Sequence, residues 1–190
     1  MRGLGRCLLV LLWATALPAA ADTLRGVVIG VIDGDTVLFK PDHAGAASRA
    51  FLKVRLADID APEKDQPYGE AATRALTALV RNQHVEIHTV ATDVYGRSIA
   101  HLQKGAMPIN TELVRLGFAW IYDPLRTSVR SGSEYSQGAS RSYRASRRYR
   151  RNASLVEAQN TARRAQRGLW ADASPTPPWV WRRAPPESAR

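Results

Sequence analysis

The stretch Leu24–Phe39, LRGVVIGVIDGDTVLF, decides how the chain begins to fold. It is rich in β-branched residues, which suit a pleated and half-buried surface. It is interrupted once, by Asp33-Gly34-Asp35, and a tight Asp-Gly turn between two such runs marks an antiparallel hairpin. Working outward, residues 40–49 are polar and turn-like. Residues 50–59, AFLKVRLADI, then alternate loosely enough for a third strand that stops before Pro62.

Further on, residues 69–82, GEAATRALTALVRN, place Ala72, Leu76, Leu79 and Val80 at helical spacing, so an amphipathic helix is expected. Two more strands, HVEIHTVAT (84–92) and SIAHLQ (98–103), flank DVYGR, a turn in which Gly96 can adopt positive φ. INTELVRLGF (109–118) predicts a short helix capped by Asn110 or Thr111 and stopped by Gly117. AWIY (119–122) suits a short strand. From 123 to about 146 the composition turns to Ser, Gly, Arg and Tyr, as expected of a mobile surface insertion that builds no core. ASLVEAQNTARRAQRGLW (153–170) returns to helical periodicity, and a Pro- and Trp-rich tail follows over 173–190. In that tail Trp179 and Trp181 are expected to pack on the folded domain. Five short strands and three helices predict an α+β fold, a small barrel with helices outside it.

The chain has 190 residues, suited to one domain with appendages, and a net charge of +10. Residues 1–21 carry Arg2 and Arg6, an apolar run from Cys7 to Leu17 and the small residues Ala19, Ala20 and Ala21. This is the layout of a secretory signal peptide, expected to be cleaved before Asp22. The run is shorter than the roughly 20 residues that span a bilayer, so no stable membrane insertion is expected. The main domain then occupies 22–172. Cys7 is the only cysteine and would leave with the signal, so stability must come from core packing and a bound ion, not disulfides. Location is expected to be periplasmic or secreted, and a monomer is expected. Without Arg2 and Arg6 the chain keeps 25 basic against 17 acidic residues, a charge of +8 that suits a polyanionic partner such as nucleic acid, although charge also serves solubility.

Among polar residues, Asp33 and Asp35 fit a turn, but Asp60 and Glu63 end another strand and could be brought beside it. Such carboxylates, with a backbone carbonyl, form a hard oxygen site suited to Ca²⁺ or Mg²⁺. His43, His84, His88 and His101 are scattered and read as structural or exposed. Arg55 lies five residues before Asp60, on the opposite face of an ideal strand unless a bulge or bend realigns them. Two arginines, Arg55 and Arg97, with a carboxylate cluster and a basic surface are what phosphodiester hydrolysis needs. Asp58 reads as a solvent-facing acid in preference to one that tunes the site.

VIDGDTV, VRLADIDAPE, DVYGR and INTELVRLGFAW, in this order and spacing, resemble the thermonuclease or staphylococcal nuclease-like family over about Leu24 to Trp170. The resemblance implies a five-stranded OB-type barrel with three helices, and a nuclease that cuts DNA and RNA with little sequence preference, leaving 3′-phosphates. It implies Ca²⁺ ligands at Asp35, Asp60 and the Ala61 carbonyl, where better-known members have Thr. It implies a catalytic trio of Arg55, Glu63 and Arg97, with Asp33 near the metal and Tyr95 near the phosphate. Beyond Trp120 the match departs. Tyr143, Arg144, Arg148 and Tyr149, within an arginine- and tyrosine-rich run, could stack bases and contact phosphates, or form a solvated linker. Repeats of this fold that have lost catalytic residues bind nucleic acid without cutting it, which is the alternative reading.

Overall fold

The computed structural model describes residues 23–43, 50–122 and 153–183. Strand β1 (Thr23–Asp33) forms the expected hairpin with β2 (Thr36–Pro41), and β2 pairs antiparallel with β3 (Leu52–Leu56). Strand β1 pairs with β5 (His84–Thr92) from Thr23 to Val27 and with β2 from Gly26 to Asp33. Two register shifts, between Val28 and Gly30 and between Val31 and Asp33, mark irregularities of the kind that coil a strand enough to serve both neighbours. Strand β6 (Ser98–Lys104) runs antiparallel to β5 and parallel to β3, with Arg55 opposite Ile99. That last pairing closes five strands into a barrel, and the fold is the α+β, OB-type architecture expected. A closed barrel leaves none of these strands as a bare edge.

The third strand is shorter than the sequence suggests. It stops at Leu56, and a two-residue strand, β4 (Ile59–Asp60), resumes after a turn in which Asp58 has φ of 63°. The β4 strand leaves the barrel to pair with β8 (Trp120–Ile121). Asp58 is consequently not solvent-facing: its carboxylate is half-buried, 3.5 Å from Nε2 of His101.

Helix α1 (Gly69–Val80) buries Ala72, Leu76 and Val80, the face its spacing predicts. A short β7 (Met107–Pro108) leads into α2 (Ile109–Arg115). Here Asn110 does not cap the helix; Pro108 occupies that position, and Asn110 lies inside at 3% exposure. Its Nδ2 donates to the carbonyls of Ala57 at 2.9 Å and Ala100 at 3.3 Å, and its Oδ1 accepts from the Leu102 N–H at 2.9 Å. One side chain thus ties the break after β3 to β6 and α2. Such a buried amide is stable because its donors and acceptor are all matched.

The barrel core is apolar, with Val28, Val37, Phe39, Val54, Leu56, Ile59, Leu76, Ile87, Leu102 and Leu113 fully buried. Helix α3 (Ala153–Arg164) adds Leu155 and Ala158 to it. A second cluster joins Trp120, Ala162, Leu169 and Trp170. The two are linked by a close backbone approach: Leu169 N–H donates to the Gly117 carbonyl at 2.9 Å, and Gly117 and Gly168 both have positive φ. A Cβ on Gly117 would lie 2.1 Å from the Arg167 carbonyl oxygen, so glycine is required there by space as well as by dihedral angle.

The Asn110→Ala variant leaves buried Leu102 N–H and Ala57 C=O groups unpaired and should lose about 2–4 kcal/mol of stability. Urea unfolding measures this; an unchanged midpoint would contradict the role given to Asn110.

Candidate active site

The turn between β1 and β2 supplies the first carboxylate. Asp33 Oδ1 accepts the Asp35 N–H at 3.1 Å, which orders the turn, and the Asp35 carbonyl accepts the Leu56 N–H at 2.8 Å. Gly34 lets this turn press against the chain beyond β4: a Cβ there would stand 2.6 Å from the Ala61 Cβ and 2.8 Å from that of Ala72. The carboxylate of Asp35 is then anchored from two sides, with Oδ1 accepting from the Thr36 hydroxyl at 3.0 Å and Oδ2 from the Ala61 N–H at 3.1 Å.

Arg55 and Asp60 meet because of the break at residues 57 and 58. In an uninterrupted strand they would face opposite ways. Here Arg55 Nη2 lies 2.6 Å from Asp60 Oδ1 and 3.3 Å from Asp35 Oδ2, while Nη1 donates to the Ile59 carbonyl at 3.3 Å. Asp60 is essentially buried, its side chain 1% exposed. Burial pushes its carboxyl above the ordinary range, opposed by the charge of Arg55 and reinforced by Asp35. Burial likewise disfavours the charge on Arg55, but Asp35 and Asp60 outweigh it and hold the guanidinium more firmly protonated than usual. Asp33 is also pushed up, by burial first and by Asp35 second.

These residues suit a divalent cation. Two carboxylates crowd one water-poor place, and a positive charge there relieves the repulsion that raises Asp60. All available donors are oxygens, which suits a hard ion. Among the described residues no three His, Cys, Asp or Glu side chains form a ready cage. A cation at Asp35 and Asp60 would therefore complete its shell with backbone oxygen and with water.

Glu63 follows two residues after Ala61, in a loop organised by Gln66, a residue the sequence did not single out. Glu63 N–H donates to Gln66 Oε1 at 3.1 Å, and Gln66 N–H returns to the Glu63 carbonyl at 3.0 Å. The Glu63 side chain is partly exposed, whereas Asp60 is not. A second unforeseen residue is Arg182, whose Nη2 lies 2.8 Å from Asp60 Oδ2 and whose Nη1 lies 2.5 Å from Glu63 Oε1. The only signal for it in the sequence is the Trp pair beside Arg182 and Arg183, which suggests docking but not where.

Arg97 is held separately, on the DVYGR turn. Its Nε donates to Asp93 Oδ2 at 2.6 Å, and its guanidinium stands 5.5 Å from the ring centre of the exposed Tyr95. Desolvation would raise Asp93, but hydrogen bonds from Arg97, and the Tyr95 N–H, bring it below the ordinary range. Arg97 immediately precedes β6, whose Ile99 is the register partner of Arg55, so the turn that carries Arg97 leads into the strand beside β3. Tyr143, Arg144, Arg148 and Tyr149 lie outside the described residues, as do 1–21 and the insertion at 123–146. No helix among the described residues is long and apolar enough to cross a membrane.

In the Arg55→Gln variant, Asp35 and Asp60 lose the charge between them. Stability without divalent ions should fall by about 3 kcal/mol, the scale for breaking a buried pair. Added Ca²⁺ should restore part of it. Thermal melts in chelator and in Ca²⁺ make the comparison, and equal stability of parent and variant in chelator would contradict it.

The chain matches the family model described as "Staphylococcal nuclease homologue" over residues 53–137, a span that includes Arg55, Asp60, Glu63 and Arg97 but begins after Asp35. It is 32% identical over 174 residues to an "Uncharacterized endonuclease" of Escherichia coli O157:H7, covering 91% of this chain and 94% of that protein. It is 32% identical over 178 residues to the "Micrococcal nuclease" of Shigella flexneri, covering 89% and 86%. A third relative, "Protein ParB" of Escherichia coli, is 36% identical over 177 residues, covering 88% and 84%. A closed five-stranded barrel, a carboxylate pair bridged by arginine at its end, and relatives that share nearly its whole length make this chain a member of the staphylococcal nuclease family, and thus a nuclease.

Proposed function

We propose that the chain is an exported, Ca²⁺-dependent nuclease that works as a monomer on DNA and RNA with little sequence preference and leaves 3′-phosphate ends. The observation that carries this reading is the meeting of Asp35, Arg55 and Asp60 within 2.6–3.3 Å, with Glu63 linked to the same cluster through Arg182. In it, Asp35, Asp60 and the Ala61 carbonyl would hold Ca²⁺. Bound there, the ion supplies charge that draws in the phosphate and offsets the negative charge building on it.

The chain's own residues divide the remaining work. Glu63, partly exposed and held by its Gln66 loop, takes the proton from the attacking water or orients it. Arg55 presents a planar guanidinium whose position is set by two carboxylates, and it contacts the phosphate as charge develops. Arg97, steadied by Asp93 on the turn that leads into β6, contacts the phosphate and stabilises the leaving oxygen. Tyr95, exposed beside Arg97, meets the bound nucleotide near its phosphate. Export follows from the signal-like residues 1–21, and an amino terminus at Asp22 in protein recovered outside the cytoplasm is its test.

The chain from Asp22 onward should degrade single-stranded DNA in Ca²⁺ and stop when a chelator is added. Nucleic acid bound but uncut at ample Ca²⁺ would instead establish a binding module. The Glu63→Gln variant should retain binding while cleavage slows by about 10²–10⁴-fold, the usual worth of a positioned acid or base. Cleavage at the parental rate in a single-turnover assay would remove Glu63 from its role.

A further inference from the structure

The tail that follows α3 is a strap across the candidate site. After a 3₁₀ turn (Gly168–Ala171), the chain runs to a one-turn helix, α4 (Pro178–Trp181). Separate contacts seat it. Gln66 Nε2 donates to the Thr176 carbonyl at 2.6 Å, and Trp181 Nε1 donates to Asp65 Oδ1 at 3.3 Å. The Trp179 ring stands edge-on to Trp120, with centres 5.7 Å apart, and 6.3 Å from Tyr122. Pro178 is buried. Gln66 therefore holds both the loop of Glu63 and the strap.

This seating delivers Arg182 onto two functional carboxylates. Its Nη2 takes Asp60 Oδ2 at 2.8 Å, and its Nη1 takes Glu63 Oε1 at 2.5 Å and reaches Asp60 Oδ1 at 3.4 Å. Both oxygens of Asp60 are then engaged by guanidinium groups, Oδ1 by Arg55 and Oδ2 by Arg182. A divalent ion that uses Asp60 would stand beside both positive charges, and the repulsion favours the departure of one of them. Arg55 is poorly placed to leave: its side chain is 18% exposed and it also holds Asp35 and the Ile59 carbonyl. Arg182 is 42% exposed and follows the last turn of the strap, so solvent can receive it. A dication beside an unmoved Arg182 would meet a like charge at close range, which favours departure.

Resting on the cation reading above, we propose that Arg182 is a built-in competitor of the divalent ion. Without the ion it neutralises Asp60 and occupies Glu63. When the ion binds, Arg182 withdraws, and Glu63 becomes free to engage water. The strap thereby couples loading of the site to release of its base, and the ion-free protein keeps its carboxylates paired.

The test is binding, not cleavage. Ca²⁺ is titrated calorimetrically, without nucleic acid, into the chain from Asp22 onward and into its Arg182→Gln variant, with matching near-UV circular dichroism as the check of folding. The variant should bind Ca²⁺ about tenfold tighter or more, as expected when a competing charge at contact range is removed. Equal or weaker binding by Arg182→Gln, with the parent still binding, overturns the competition while leaving the cation reading intact. Absence of Ca²⁺ binding in both chains overturns the cation reading itself. In the parent, the Arg182 Nε–H resonance, identified by its loss in Arg182→Gln, should shift and exchange faster with water on Ca²⁺ addition. A resonance unchanged at saturating Ca²⁺ also overturns the proposal.

Discussion

Two carboxylates, Asp35 and Asp60, stand together at one end of a small barrel because Arg55 lies between them. Apart from that guanidinium and the one Arg182 adds at Asp60, their meeting is unfavourable, since burial and mutual repulsion both oppose a second negative charge. Much of the local architecture serves this contact. Gly34 allows the first turn to reach Ala61, the left-handed turn at Asp58 redirects the chain so that Asp60 faces Arg55, and Asn110 ties the Ala57 carbonyl before that turn to β6. Closure of β3 against β6 then places the turn that carries Arg97 at the start of the strand beside Arg55.

The barrel and the site make opposite demands. Val54 and Leu56 are fully buried, while Arg55 between them points away from the core into a half-polar rim. Alternation along one short strand satisfies both, because successive side chains leave a strand on opposite faces. With a single cysteine the chain forms no internal disulfide, so the rigidity that positions these charges comes from packing. The tryptophan cluster around Trp120 extends that packing outside the barrel, and on it rests the tail that carries Arg182.

The arginines are held in different ways, and the difference suits different tasks. Arg55 is fixed by two buried partners and has little freedom. Arg97 is anchored to Asp93 within its own turn, beside an exposed tyrosine. Arg182 belongs to a peripheral strap and is the most exposed of those that touch the carboxylate pair. A family resemblance can point to Arg55 and Arg97 by their motifs, but Arg182 lies in a tail beyond the residues that the family model matches.

Local pattern alone was enough to place most elements. The β-branched runs around Asp33-Gly34-Asp35 form the expected hairpin, the Ala72, Leu76 and Val80 spacing forms α1, and 84–92 and 98–103 form paired strands, since hydrophobic periodicity is a local property. The ordered motifs also pointed to Asp35, Arg55, Asp60 and Glu63. What local pattern could not decide was contact between distant residues. The break after Leu56 depends on β4 finding β8 more than sixty residues later, and Asn110 turned inward because two backbone carbonyls and an N–H awaited it there, not at a helix end. The placing of Arg182 against Asp60 and Glu63 depends on tryptophan packing and a Gln66 hydrogen bond across more than a hundred residues, so only the folded chain decides it.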